Sequence, residues 1–101
     1  MKKQKVKSGI PHVKYYIDMY KEGNQFVGIA RGLNYTGAGK TIDEAIKNTN
    51  KSVKLALEWC YKKKTLNLVL KEAGFEPIIQ GGSVIWDNRN YLGSFQSKVV
   101  A

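Results

Sequence analysis

The chain has 101 residues, 43% of them hydrophobic and 25% charged, the size and composition of one folded domain with a single core. No apolar run approaches the roughly 18 residues of a membrane span, and no apolar stretch of the signal-peptide kind follows the basic start, so a cytoplasmic protein without membrane contact is expected. A lone cysteine, Cys60, and a lone histidine, His12, exclude an internal disulfide and paired zinc ligands and leave nucleophilic catalysis a single imidazole to build on, so neither an enzyme nor a cofactor is expected.

The net charge of +9 is unevenly spread. Residues 1–7 carry +4, residues 8–41 carry +2, residues 42–64 carry +3, and residues 65–101 sum to zero. An anionic partner, nucleic acid or an acidic protein, would meet the first two thirds of the chain. Solubility alone accounts for such a charge equally well.

In chain order, residues 1–9 read as a basic disordered arm bearing Lys2, Lys3, Lys5 and Lys7, ahead of one α+β domain over residues 10–101. Val13, Tyr15, Ile17 and Met19 alternate with Lys14, Tyr16, Asp18 and Tyr20, which predicts a half-buried strand. Lys21-Glu22-Gly23-Asn24 supplies the turn, with Gly23 and Asn24 able to take positive φ, into a return strand from Gln25 to Arg31. A third short strand is expected over Leu33–Thr36, ending at Gly37-Ala38-Gly39. Thr41 and Glu44 form a capping box, the Thr hydroxyl accepting from the Glu44 amide while Glu44 reaches back to the Thr41 amide. The helix that follows has apolar positions at Ile42, Ala45, Ile46, Thr49, Val53, Ala56, Leu57 and Cys60, with Lys47, Lys51, Lys54, Glu58 and Lys62 opposite.

Leu66, Val69, Leu70 and Ala73 fall about 180° from Leu57 on a continued helix, so one straight helix cannot bury both sets against one core. A break near Lys62–Thr65 and a second, short helix capped by Gly74 resolve this. Strands are expected over Phe75–Gln80, Ser83–Trp86 and Tyr91–Phe95, with Pro77 at a sheet edge or strand start. The order is βββα over residues 10–64 and αβββ over residues 65–97: a three-stranded antiparallel sheet packed by a long amphipathic helix, then a short helix and two or three further strands.

Gly39-Lys40-Thr41 before a helix imitates the end of a phosphate-binding loop. That motif also requires a glycine where this chain has Asn34, and the capping box occupies the helix's free amides. The stripe Lys47, Lys51, Lys54 and Lys62, together with Lys2, Lys3, Lys5 and Lys7, can follow a phosphate backbone, and the helix stripe lacks the arginines that read base edges; the alternative is a solvated helix face with a disordered tail. Tyr16 and Tyr20, sharing a strand face with Lys14, read either as a stacking platform beside a cation or as cross-strand packing. Trp59, at the border of the helix's apolar face, and Trp86 are assigned to packing, His12 to the surface, and Cys60 to the core as a small hydrophobe.

Three strands, a glycine-rich corner and Gly39-Lys40-Thr41-Ile42-Asp43-Glu44-Ala45-Ile46 opening an amphipathic helix resemble the HicB-like antitoxin family. The likeness spans roughly Tyr15 to Trp59 and rests on Gly39, Thr41, Glu44 and Ala45; Asn34 and Tyr35 stand where the family commonly has a Pro-Gly-Cys-like turn. The resemblance implies a partial RNase H-like fold and a non-enzymatic protein that binds a small toxin, with RNA or DNA contact and oligomerisation as further implications. Farther along, Ala73-Gly74-Phe75-Glu76 and Gln80-Gly81-Gly82-Ser83 resemble the small HicA-type toxin of such systems, with Val84 and Ile85 where the toxin's catalytic histidine lies. Without that histidine the toxin likeness implies a catalytically dead, double-stranded-RNA-binding-like unit. Tyr91-Leu92-Gly93-Ser94-Phe95 resembles the strand before the helix in phage-integrase arm-binding domains, which implies the alternative of a basic DNA-binding module; either likeness would serve without a toxin partner.

Overall fold

The computed structural model describes residues 10–89 and 91–100; the basic arm and its four lysines lie outside this range. The fold is α+β. Its elements are β1 (His12–Lys14), β2 (Ile17–Glu22), β3 (Gln25–Ala30), β4 (Thr36–Gly39), α1 (Ile42–Lys62), α2 (Leu66–Glu72), β5 (Glu76–Gln80) and β6 (Ser83–Asp87). They form two three-stranded sheets, ordered β2-β3-β4 and β1-β6-β5.

The first sheet is antiparallel throughout. Gly23, at φ +61°, begins the two-residue turn between the paired Glu22 and Gln25, a conformation glycine adopts without Cβ strain. The expected third strand is displaced. Asn34 takes φ +64°, the Ala30 amide donates to the Tyr35 carbonyl, and the Asn34 amide donates to the Ala30 carbonyl. This closes a tight corner, and pairing resumes at Thr36 to run through the glycines expected to end the strand.

Those glycines set how the helix sits. A Cβ at Gly37 would lie within 3.0 Å of the Asn48 and Thr49 backbone, and one at Gly39 would be as close to Glu44 and Ala45. Bare backbone therefore lets α1 settle directly on β4. The helix lies over β4 and β3 and barely reaches β2. Its inward face buries Ala45, Thr49, Val53, Leu57 and Cys60, and the Thr49 hydroxyl is satisfied by the Ala45 carbonyl at 2.7 Å.

Thr41 caps α1 as expected, its hydroxyl accepting from the Glu44 amide at 3.1 Å. Glu44 reaches one residue further back than the expected box, accepting from the Lys40 amide at 2.8 Å. The break after Lys62 is a left-handed C-cap: Lys64 has φ +62°, its amide donates to Tyr61, and the Thr65 amide donates to Cys60. Gly74, at φ +95°, closes α2 by the same pattern, with Phe75 donating to Leu70. The two residues bridged there, Phe75 and Leu70, are both buried, as that motif favours.

The second half does not fold apart from the first. The predicted single strand over residues 13–20 divides at Tyr15-Tyr16: β1 pairs in parallel with β6, matching Val13 to Trp86, while β2 turns into the other sheet. One core results, with Ala30, Leu33, Val53, Leu57 and Cys60 from the first half meeting Leu66, Leu70, Phe75 and Trp86 from the second. Pro77 occupies the edge strand β5. Tyr91–Phe95 is not a strand: residues 91–100 pair with no strand among the described residues, and Gly93 at φ +142° with a Tyr91–Ser94 side-chain hydrogen bond of 2.6 Å bends the segment at its start.

Candidate binding cleft and helix face

Because α1 is drawn toward β4, the helix-facing side of β2 stays open. The resulting cleft, about 660 Å³, has Ile17 and Met19 of β2 on one wall and Ile42 and Ile46 of α1 on another. Ile42 and Ile46, expected in the core, are 49% and 37% exposed. They project to the side of the helix away from β4, where Ile17 and Met19 stand across the cleft from them instead of packing against them. Phe75 closes the floor.

The polar groups of the cleft are fixed by partners. Asp18 accepts from Arg31 through both carboxylate oxygens, at 3.1 Å from Nε and in close contact with the terminal nitrogen. The same guanidinium faces the Tyr16 ring at 5.3 Å and the Tyr91 ring at 4.2 Å, a cation–π sandwich. The hydrogen bond to Asp18 raises the Arg31 pKa. Tyr15 donates its hydroxyl to Asn50 of α1, and burial raises the Tyr15 pKa. Lys14 and Asp87 oppose each other at 4.0 Å across the β1–β6 pair. Composition and periodicity did not single out Arg31, Asp18, Asn50 or Tyr91; only the alternation that gave Asp18 the same strand face as Tyr16 and Tyr20 hinted at the arrangement.

The sequence-predicted binding residues separate into three places. Lys14 and Tyr16 line the cleft. Tyr20, 53% exposed, lies on the side of β2 away from α1, and the cation beside Tyr16 is Arg31, not Lys14. Lys47, Lys51 and Lys54 are exposed on the outward face of α1, on the opposite side of the helix from Ile42 and Ile46. The tyrosines and the lysine stripe therefore do not make one continuous platform.

That outward face is not purely polar. Leu55 and Trp59, each 62% exposed, continue the line of Lys51 at four-residue spacing, and the Lys63 ammonium stands 4.7 Å from the Trp59 ring. Trp59 is therefore a surface residue, unlike the buried Trp86. At about 100° per residue it falls just beyond the edge of the buried arc. Cys60, its neighbour, is buried and free, and His12 is exposed, as expected.

The molecule is thus an α+β domain carrying two unlike surfaces: an apolar cleft ringed by fixed aromatic and ionic groups, and a lysine-edged apolar helix face. Among the described residues no group of three or more His, Cys, Asp or Glu side chains is placed to hold a metal ion, and no helix is long and apolar enough to cross a membrane. Compared with protein-family models, with curated proteins and with solved structures, the chain matches none.

Proposed function

We propose that this is a cytoplasmic, non-enzymatic binding protein of the HicB-like antitoxin kind, acting through protein–protein contact with a small toxin. The observation that carries the reading is the outward face of α1, where Leu55 and Trp59 stand exposed between Lys51, Lys54, Lys62 and Lys63. Tryptophan is among the residues most enriched at the energetic centres of protein interfaces, and surrounding cations steer an acidic partner onto it. The likeness over Tyr15–Trp59 supplies the class of partner.

The test is co-expression with the product of a small reading frame adjacent to the gene that inhibits growth. The wild-type chain is expected to relieve that inhibition and to co-purify with the product, while Trp59→Ser with Leu55→Ser loses both and keeps the wild-type circular dichroism. Relief that survives both substitutions, or absence of any inhibitory neighbour, refutes the proposal.

The ridge of Lys47, Lys51 and Lys54 favours a second reading, contact with RNA or DNA without a toxin. Changing all three to Gln would then flatten the salt dependence of binding to generic duplex by about two to three units of log–log slope. If the lysines only steer an acidic protein, the same change slows association with that protein and leaves the weak nucleic-acid retention to Lys2, Lys3, Lys5 and Lys7.

A further inference from the structure

β2 is an outer strand of its sheet, and its free edge runs along the cleft. The Arg31 amide donates to the Tyr16 carbonyl on either side of the Ile17–Ala30 pair, which makes that pair a non-hydrogen-bonded one. The alternation then turns the backbone of Asp18, Tyr20 and Glu22 toward β3 and the amides and carbonyls of Ile17, Met19 and Lys21 outward. Beside this edge stand the exposed side chains of Ile42 and Ile46. An open strand edge against an apolar wall is the arrangement onto which an extended segment adds as a further strand.

The C-terminal segment has the complementary defect. The pattern of Tyr91–Phe95 predicts a strand, yet among the described residues no strand pairs with residues 91–100. Leu92, Phe95, Val99 and Val100 are 90%, 83%, 95% and 81% exposed, and Lys98 is the segment's sole charged side chain. Tyr91 is held at the mouth of its own cleft by Arg31, and the bend at Gly93 follows at once. The root of the segment is anchored beside one cleft while its apolar remainder is bare.

We propose that residues 92–100 of one copy add as a strand to the β2 edge of a second copy, in a reciprocal exchange that makes a two-fold dimer. Phe95 and Val99 share one face of an extended segment, and the four-residue step between them equals the span from Ile17 to Lys21. This lays both side chains against Ile42 and Ile46 while the segment's backbone pairs with Ile17, Met19 and Lys21. The exchange covers two apolar surfaces with each other and closes under two-fold symmetry, so it does not propagate into a fibre.

Sedimentation equilibrium of the full chain at micromolar concentration is expected to give a dimer. Phe95→Ser with Val99→Ser, and separately Ile46→Lys, are expected to give monomers with unchanged circular dichroism. The tail variant changes only bare side chains, so it decides the matter even if the helix variant fails to fold. A Ser97→Cys chain mixed with a mass-tagged Met19→Cys chain is expected to form a mixed disulfide under mild oxidation, since Ser97 lies opposite Met19 in that register. A monomeric wild type, a dimer that persists in the tail variant or in a folded Ile46→Lys chain, or no mixed disulfide overturns the proposal. So does a monomer bearing an internal disulfide when both cysteines are placed in one chain, since that outcome docks the segment on its own cleft.

Discussion

Gly37→Ala tests the reason for the cleft. The added Cβ would meet the Thr49 amide nitrogen, the Thr49 Cα and the Asn48 carbonyl carbon, all helix backbone and all within 3.0 Å. No rotamer change relieves a clash with backbone. Restoring an ordinary contact of 3.4–4 Å lifts α1 from β4 by about an ångström, and a gap of that order forfeits roughly a quarter to a half of the dispersion energy of the atoms it separates. Overpacking of this kind costs about 1–3 kcal/mol, and the top of that range is expected because Ala45, Thr49 and Val53 are all seated by the same approach. Against the roughly 5–15 kcal/mol of a small domain, such a loss is plainly visible as a lower urea midpoint at unchanged slope, followed by the fluorescence of buried Trp86. Gly28→Ala is the control. Its Cβ would meet the Thr49 hydroxyl and the ends of Ile17 and Met19, and the latter two are free to swing into the cleft, so about 1–2 kcal/mol is expected. Thr49→Ala should recover part of the Gly28→Ala loss and none of the Gly37→Ala loss. A Gly37→Ala protein within 0.5 kcal/mol of wild type, by the usual scatter of surface changes at about that level, would refute the account of how α1 is placed.

Three further outcomes are expected. Lys64→Gly should raise stability by about 0.5–1 kcal/mol, the left-handed strain at φ +62° less the glycine's added freedom in the unfolded chain; a lowered urea midpoint would count against a strained C-cap. Thr65→Pro should destabilise despite the helix break, by about 2–3 kcal/mol, because Thr65 has φ −115° and its amide donates to Cys60 at 2.9 Å; an unchanged thermal midpoint would contradict that geometry. Burial raises the pKa of Tyr15 and Tyr35 above the ordinary value of 10.0, so above that pH the folded chain retains protons that the unfolded chain has released. Stability should therefore fall as pH rises past 10, with Tyr15→Phe and Tyr35→Phe each flattening the decline in a pH series of urea midpoints; an unaltered decline would reassign it to other groups.

Much of the first half was legible because its signals are local. Thr41 and Glu44 mark a helix start by side-chain chemistry within four residues, and the angular mismatch between Leu57 and the Leu66–Leu70 set forces a break wherever the chain runs. Position-specific backbone geometry was less visible. Gly37 and Gly39 have poor strand propensity and read as the end of β4, yet their lack of side chains is what admits α1. Ile42 and Ile46 repeat at core spacing, and periodicity reports the direction a residue faces without reporting whether anything lies there. Trp59 sits barely outside the buried arc, where a difference of one helical position separates core from surface. The division of one strand at Tyr15-Tyr16 depends on β6, some seventy residues away by the pairing of Val13 with Trp86, and no local pattern carries that information. The cleft inherits all of these uncertainties at once, which is why Arg31 and Tyr91 came to notice only in three dimensions.

The parallel pairing of β1 with β6 also orders events in time. Hairpin β2-β3, strand β4 and helix α1 are neighbours in sequence, so their contacts close short loops and form quickly, whereas β1 must wait for a partner near the other end of the domain. During synthesis the β2–α1 unit emerges first and is able to assemble while β1 has no partner; β1 is paired only when Ser83–Asp87 arrives. The same seam is three residues wide and lies at a sheet edge, which makes it the natural first point of local opening in the finished protein. Amide exchange at Val13 and Lys14 should accordingly outrun exchange at Val53 and Leu57, and a nascent chain halted before β6 should protect α1 from proteolysis while leaving the region of His12 exposed to it.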